Sequence, residues 1–325
     1  MATGTKAIID IAKLAISFIV VAIHANLAGN NLELHTFFNL LVPLFFIFSG
    51  YLMYPRLVAE GEAYLNKSIK KYAHQYIIWS IIYLPLTIYG CTILYNTTWE
   101  AIYTTLFRYI IIGSQYMSWI LWYIWALIIA LLLLRFLVFK CNLTFTPILW
   151  IAIFIIGIGI LLETTKEYGI SQIYFRFFRT TLNGLFVGFP YIIGGMALAK
   201  RNSDSHTLFT KHKYATAAIA TLLMISLCFL QTDLARLLNI IPLLYIFAVL
   251  LNTKTNVREE VSTYCRNLST WIFYTHLIWI FTFEKFTELS NWGVWGLSCM
   301  VCMVTWPIYL LVQNIAVPLK SKSVL

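Results

Sequence analysis

The chain is dominated by apolar stretches that are long enough to cross a lipid bilayer as helices. A transmembrane helix needs about 20 mostly apolar residues, because a rise of about 1.5 Å per residue must cover a hydrocarbon core about 30 Å thick. Ten stretches meet or approach this length, at residues 8–28, 36–54, 72–94, 117–138, 146–162, 180–199, 214–231, 234–251, 268–286 and 293–315. With 60% hydrophobic and 11% charged residues, the sequence predicts an all-α polytopic membrane protein, a bundle of about ten transmembrane helices.

The positive charges between these stretches predict how the bundle is oriented. Short cytoplasmic loops carry an excess of Lys and Arg. If the N-terminus lies inside, most of the 23 Lys and Arg residues fall on the inner side, and the outer loops keep only Arg108, Lys166, Arg176, Arg179, Arg236 and Lys285. We therefore expect both termini in the cytoplasm and a multi-pass protein of the inner (plasma) membrane. This distribution accounts for the net charge of +10 without nucleic acid as a partner.

The connections between the stretches predict a single membrane-embedded domain over residues 1–325. The second stretch is expected to close at Pro55, before a basic loop from Arg56 to Lys71, and a short turn through Thr232 and Asp233 joins the seventh and eighth. The middle of residues 96–115 favours an interfacial amphipathic helix. The first apolar run is too long for the core of a cleavable signal peptide and lacks a small-residue cleavage site, so we expect it to remain as a helix.

Metal binding is not indicated by the cysteines. Cys299 and Cys302 form a CxxC pattern, but it lies in the last apolar stretch with no second pair and no nearby histidine. Ordinary helix packing is the expected role.

The first stretch carries three ionisable residues, Asp10, Lys13 and His24. Such groups cost about 2.5 to 3.5 kcal/mol each inside a membrane helix and usually face a protein interior or a wet cavity. Eleven residues separate Lys13 from His24, which is about three helical turns and a rise of roughly 16 Å, so both point to one face. Asp10 can pair with Lys13 one turn away. The orientation above puts Lys13 near the cytoplasmic side and His24 near the outer side.

His24 has two interpretations. A neutral imidazole can take a proton from a hydroxyl nucleophile as a general base, or it can simply form a packing hydrogen bond near the interface. Lys13 aligned with His24 favours the first interpretation, because it would attract an anionic substrate from the cytoplasm.

Several short patterns, taken together, resemble the integral-membrane acyltransferase-3 family. They are Asp-x-x-Lys followed by x10 and His in the first stretch, the phrase FFxxSGY that contains Phe45 and Ser49, the Leu-Trp-Tyr of residues 121–123, and a late aromatic-x-x-His that ends at His276. The resemblance covers nearly the whole chain. Lys13 keeps the charge of the arginine that the family usually has there but not its planar fork.

The resemblance implies transfer of an acyl group, usually acetyl, from cytoplasmic acetyl-CoA to a hydroxyl of a saccharide or lipid-linked saccharide of the cell envelope. His24 would act as general base or carry the acyl group itself, assisted by Lys13 and Asp10. The CoA phosphates would meet Lys13 and the basic patch Lys67, Lys70 and Lys71, although topology and attraction to anionic lipids explain that patch equally well.

Other residues are candidates for binding the acceptor. Ser49 can donate a hydrogen bond, but the Ser49-Gly50 pair also favours close helix packing. Trp122 and Tyr123 suit sugar stacking or an aromatic belt. Further candidates are Arg179 and Asn183 with Gly184 for a hydroxyl or oxyanion, and Glu33 for orienting His24. For His276, helix packing is the expected role.

Two other function classes remain open. A transporter or flippase for a saccharide or small anionic solute is the main alternative, since membrane bundles with intramembrane charges often move substrates. Against it, the sequence shows no inverted repeat and no pair of Gly- or Pro-broken segments in matching halves. A sensing or scaffolding membrane protein is the third possibility.

Overall fold

The computed structural model describes residues 3–94, 98–113, 116–204, 213–253 and 256–316. Within these ranges the chain is helical with no β-strand, which confirms the all-α prediction for the described residues. The fold divides into two compact units, one formed by the two ends of the chain (residues 1–31 and 254–325) and one by residues 32–253.

Over residues 3–31 and 256–316, the terminal unit is built from three helices, α1 (Thr3–His24), α13 (Glu259–Phe286) and α14 (Asn291–Ala316). Two contacts show that α1 and α13 run parallel and in register, because Asp10 meets Ser262 and His24 meets His276. Fourteen residues separate the two contacts on each helix, so the contacts lie about 21 Å apart along the pair. The α14 helix packs antiparallel to α13, with Trp271 bonded to Thr305 and Thr275 beside Cys302.

In the described parts of the central unit there are eleven α-helices. They are α2 (Leu32–Leu41), α3 (Leu44–Glu60), α4 (Glu62–Leu94), α5 (Thr98–Phe107), α6 (Trp122–Arg135), α7 (Phe145–Thr164), α8 (Gly169–Phe178), α9 (Phe189–Asp204), α10 (Lys213–Leu227), α11 (Thr232–Leu238) and α12 (Ile240–Leu251). Short π-helical turns continue α5 and α6 and precede α9.

Two glycines bring α3 and α9 into close contact. A Cβ atom at Gly50 would lie 2.0 Å from the carbonyl oxygen of Ile192, and one at Gly195 would lie 2.1 Å from that of Ile47. No larger side chain fits without separating the helices. The alternative that Gly50 serves close helix packing is therefore confirmed.

Several predicted boundaries were wrong because apolar length marks only the part of a helix that suits lipid. The α3 helix continues through Pro55 to Glu60, and the predicted basic loop is mostly the first turns of α4, with only Gly61 between the two. Likewise α13 begins at Glu259, inside a predicted loop. Thr232 and Asp233 start α11 instead of forming a turn, and the eighth stretch is broken at Asn239 into α11 and α12, which meet at 54°.

Five of the described helical stretches are long and apolar enough to cross a membrane, and the bent pair α11 and α12 makes a sixth if it counts as one span. They are Thr5–His24, Leu32–Glu60, Glu62–Ile93, Trp119–Lys140 and Phe145–Thr164. Ten spans and cytoplasmic termini remain predictions. The proposed interfacial segment does form a helix, α5, none of whose residues is buried.

Candidate active site

The carboxylate of Asp10 is buried and bound by two residues of α13. Ser262 donates a hydrogen bond of 2.7 Å to Asp10 Oδ2, and the guanidinium of Arg266 lies 3.6 Å from the same oxygen. Ser262 and Arg266 are four residues apart, so they share one face of α13. The sequence suggested Lys13 as the partner of Asp10 and missed these two residues, because their part of α13 was taken for a loop.

His24 ends α1, and its imidazole stacks on that of His276. The ring centroids are 5.2 Å apart, with 26° between the planes. Lys13 lies on the same unbroken helix, half-buried and three residues after Asp10. Lys13 and His24 thus lie on one continuous helix, as the sequence predicted, while the second imidazole was not expected beside His24.

His276 is fully buried, and its hydrogen bonding fixes its tautomer. Nδ1 lies 2.7 Å from the carbonyl oxygen of Ile272, one turn earlier in α13. A carbonyl oxygen only accepts, so Nδ1 of a neutral ring must carry the proton and Nε2 must present its lone pair. Nε2 has no hydrogen-bond partner within the described part of the chain. The site therefore holds a buried acceptor nitrogen next to His24. The late aromatic-x-x-His pattern was the sequence signal for this residue.

Three of the acceptor candidates come together in the central unit. The hydroxyl of Ser49 donates to the carbonyl oxygen of Phe45 at 2.8 Å and lies 3.4 Å from the hydroxyl of Tyr123. The rings of Tyr123 and Trp122 pack on Phe46, with centroids 4.6 and 5.9 Å away. Ser49, Trp122 and Tyr123 thus form one cluster between α3 and α6.

Lys67, Lys70 and Lys71 are exposed on the first turns of α4. Their spacing of three and four residues puts them on one face of that helix. A basic surface one to two turns long results, as the sequence predicted.

Asn183, Arg179 and Glu33 have different settings within the central unit. Asn183 caps the following π-helical turn, since its side-chain oxygen accepts from the backbone N–H groups of Leu185 and Phe186. Its amide nitrogen donates to the hydroxyl of Tyr174 at 2.8 Å. Arg179 ends α8 in the left-handed conformation, with φ of 61°, and Glu33 is exposed in the first turn of α2.

The central unit also contains a buried network around Arg236 that sequence reasoning missed. Its guanidinium donates to Asp233 and to the side-chain oxygen of Asn39, both at 2.5 Å. The adjacent hydroxyls of Thr180 and Thr181 donate to the carboxylates of Asp233 and Glu163 at 2.8 and 2.7 Å. We refer to these residues as the Arg236 network. Arg236 had been assigned to an outer loop, and no local pattern identifies partners almost 200 residues away.

Tyr174 lies at the edge of the Arg236 network. Its hydroxyl donates to the carbonyl oxygen of Thr180 at 3.0 Å. Burial raises the pKa of the Tyr174 phenol above its ordinary value, and the nearby carboxylates of Glu163 and Asp233 raise it further against the lowering effect of Asn183. Tyr174 therefore stays neutral and acts as a hydrogen-bond bridge.

No group of three or more His, Cys, Asp or Glu side chains is arranged for a metal among the described residues. Cys299 and Cys302 are both buried, and the sulfur of Cys302 lies 3.4 Å from the hydroxyl of Thr275. This setting agrees with a packing role.

Comparison with known proteins yields one local and one near-complete match. The chain is 28% identical over 192 residues to a serine/alanine racemase of Enterococcus gallinarum, a match that covers 55% of this chain and 26% of the racemase. The chain thus spans only about a quarter of that protein's length. No solved structure matches. A family model described as an acyltransferase domain matches residues 6–312. The protein has long apolar helices that suit a membrane, and the family match covers nearly the whole chain, from before Asp10 to beyond His276. It is therefore a membrane protein that belongs to the acyltransferase-3 family.

Proposed function

We propose that this protein is an O-acyltransferase of the inner (plasma) membrane that moves an acetyl group from cytoplasmic acetyl-CoA to a hydroxyl of an envelope saccharide or lipid-linked saccharide. Membership of the family supports acyl transfer to hydroxyl groups. The observation that carries the proposal is the stacking of His24 on a second, buried imidazole at the end of α1. The two imidazoles provide nitrogens that can accept a proton, and acyl transfer to a hydroxyl requires a base that removes the hydroxyl proton.

The chemistry has two versions, which differ in the role of His24. As a general base, His24 takes the proton of the acceptor hydroxyl while the hydroxyl oxygen attacks the thioester carbon. The carbon–sulfur bond then breaks, and the proton leaves on the sulfur of CoA. As a relay, a ring nitrogen of His24 attacks the thioester carbon, the carbon–sulfur bond breaks, and CoA leaves as the thiol. The acceptor hydroxyl then attacks the acyl-imidazole, the carbon–nitrogen bond breaks, and the hydroxyl proton returns to the imidazole.

The donor would approach from the cytoplasmic side. With both termini inside and about ten spans, Lys13 and the exposed Lys67, Lys70 and Lys71 attract the phosphates of CoA. Asp10, held by Ser262 and Arg266, fixes the inner end of α1. Ser49, Trp122 and Tyr123 are candidates for contacting the acceptor, with Arg179, Asn183 and Glu33 as further candidates.

The test is transfer of radiolabelled acetyl from acetyl-CoA to saccharides in membranes from expressing cells. We expect labelled saccharide with the wild type and essentially none with His24→Ala at equal protein level. His74→Ala is the matched control, because His74 is an exposed histidine on α4. Unchanged labelling by His24→Ala would remove His24 from the mechanism, and the absence of any labelled product or CoA release with the wild type would refute the proposed function.

A transporter is the second candidate, and the break between α11 and α12 favours it. Discontinuous membrane helices often line substrate sites in transporters, and here the break at 54° adjoins the buried Arg236. Reconstituted vesicles distinguish the two functions, since a transporter moves a saccharide or anion without acyl-CoA, whereas the acyltransferase releases CoA.

A further inference from the structure

Three of the buried polar atoms in α13 and α14 have no hydrogen-bond partner in the described part of the chain. They are Nε2 of His276, Nε1 of Trp279 and the hydroxyl oxygen of Ser298. His276 and Ser298 are completely buried. An unsatisfied buried polar atom costs about 1–3 kcal/mol, and native proteins keep few of them without a reason.

Helix geometry puts the residues that carry these three atoms in one layer of the helix unit. Thr275, directly before His276, contacts Cys302 of α14. Because α13 and α14 are antiparallel, one helical turn further brings Trp279 of α13 opposite Ser298 of α14. His276 adjoins this face and carries the stacked ring of His24 on its other side. We call His276, Trp279 and Ser298 the polar layer.

The polar layer offers a complementary set of hydrogen-bonding groups. Nε2 of His276 accepts, the indole N–H of Trp279 donates, and the hydroxyl of Ser298 does both. A hydroxyl group also donates and accepts, so a compound with several neighbouring hydroxyls can satisfy all three atoms. An ionised carboxylate cannot, because it has no proton to give to Nε2 of His276.

We propose that the polar layer binds the hydroxyl groups of the acceptor saccharide and holds one of them next to His24. This assignment rests on the proposed function. Nε2 of His276 accepts a hydrogen bond from a hydroxyl of the sugar, while the Ile272 carbonyl keeps Nδ1 protonated. His276 is thus a substrate-binding residue, and His24 remains the group that handles the proton or the acyl group.

The experiment separates acceptor binding from the attack on the donor. Membranes receive radiolabelled acetyl-CoA, and two products are measured, namely acetyl-saccharide and the acetate released when water replaces the acceptor. We expect His276→Leu and Ser298→Ala to lower the ratio of acetyl-saccharide to acetate about tenfold, with acetate release retained. His276→Gln should recover part of the ratio, because its amide oxygen accepts a hydrogen bond near the position of Nε2.

Two controls make the outcome decisive. Thr275→Val changes a neighbouring buried residue whose hydroxyl is already bonded to the carbonyl oxygen of Trp271 at 2.8 Å, so its product ratio should equal that of the wild type. His24→Ala should lose both products. An unchanged ratio in His276→Leu and Ser298→Ala, or a parallel loss of both products in folded protein, overturns the assignment but leaves the proposed function standing. Failure of the proposed function itself appears as a wild type that forms neither product.

Discussion

The Arg236 network of the central unit and the polar layer of the terminal unit are both buried and polar, yet they differ in how their atoms are satisfied. In the Arg236 network, the guanidinium donates to Asp233 and Asn39, and two threonine hydroxyls donate to the carboxylates of Asp233 and Glu163, at 2.5 to 2.8 Å. In the polar layer, three atoms have no partner among the described residues. Outside these bonds, the amide oxygen of Asn239, three residues after Arg236, is one buried central-unit atom without a partner among the described residues.

This difference indicates that buried polar groups stabilise the fold in the Arg236 network and bind a ligand in the polar layer. A network that is bonded internally stabilises its fold and breaks when one member is removed. A layer that leaves hydrogen-bonding capacity unused costs stability, and such sites persist where a ligand completes them. Substitutions should therefore lower stability in the Arg236 network, and they should lower function without loss of stability at the polar layer and His24.

The largest effect is expected from His24→Ala. Loss of a general base typically lowers the rate by about 10²- to 10⁴-fold. The side chain is only half-buried, so stability should change little. Acetyl transfer and SDS-induced unfolding of the purified protein measure both quantities. If the loss of activity only reflects a loss of folded protein, then His24 does not differ from the Arg236 network in this respect and the prediction is wrong.

Arg236→Met should be the most destabilising substitution of the set. It leaves the carboxylate of Asp233, whose side chain is 24% exposed, without its ion pair. Breaking a fully buried pair costs about 3–5 kcal/mol, which is the upper limit for this partly buried one. The double variant with Asp233→Asn should recover part of this loss. If Arg236→Met unfolds like the wild type but transports or acetylates less, then the Arg236 network belongs to a substrate site instead.

Thr181→Val should destabilise by about 1–3 kcal/mol, because the buried carboxylate of Glu163 loses its hydrogen-bond donor. Thr164→Val is the control, since that exposed hydroxyl bonds only to backbone carbonyl oxygens of its own helix. The comparison is made by SDS unfolding. Equal stabilities for the two variants would show that the bond to Glu163 contributes nothing.

Ser298→Ala should have the smallest effect on stability, and it should not destabilise the protein as Arg236→Met and Thr181→Val do. Removing a buried hydroxyl that has no partner among the described residues is neutral or stabilising, by up to about 1 kcal/mol. The same unfolding measurement applies, with acetyl-saccharide formation measured in parallel. A clear destabilisation would mean that Ser298 contributes to folding, and the contrast with the Arg236 network would fail at this residue.

Sequence reasoning succeeded where the signal is local. The apolar stretches predicted the helices, and the spacing of Lys13 and His24 predicted their common helix, because helix periodicity needs only neighbouring residues. It failed at helix ends such as Glu60 and Glu259, where polar residues extend a helix beyond its apolar part. Hydropathy reports suitability for lipid, whereas the helix itself continues as long as its backbone hydrogen bonds do.

The sequence by itself determined that this chain is an all-α membrane protein with an ionisable first helix, and its short patterns were sufficient to indicate the family. Only the tertiary structure decided which residues meet that helix. Ser262 and Arg266 reach Asp10, and His276 reaches His24, across about 250 positions of sequence. The physical reason is that α1 and α13 pack in parallel register, and packing between distant segments depends on the whole fold and not on any local pattern of residues.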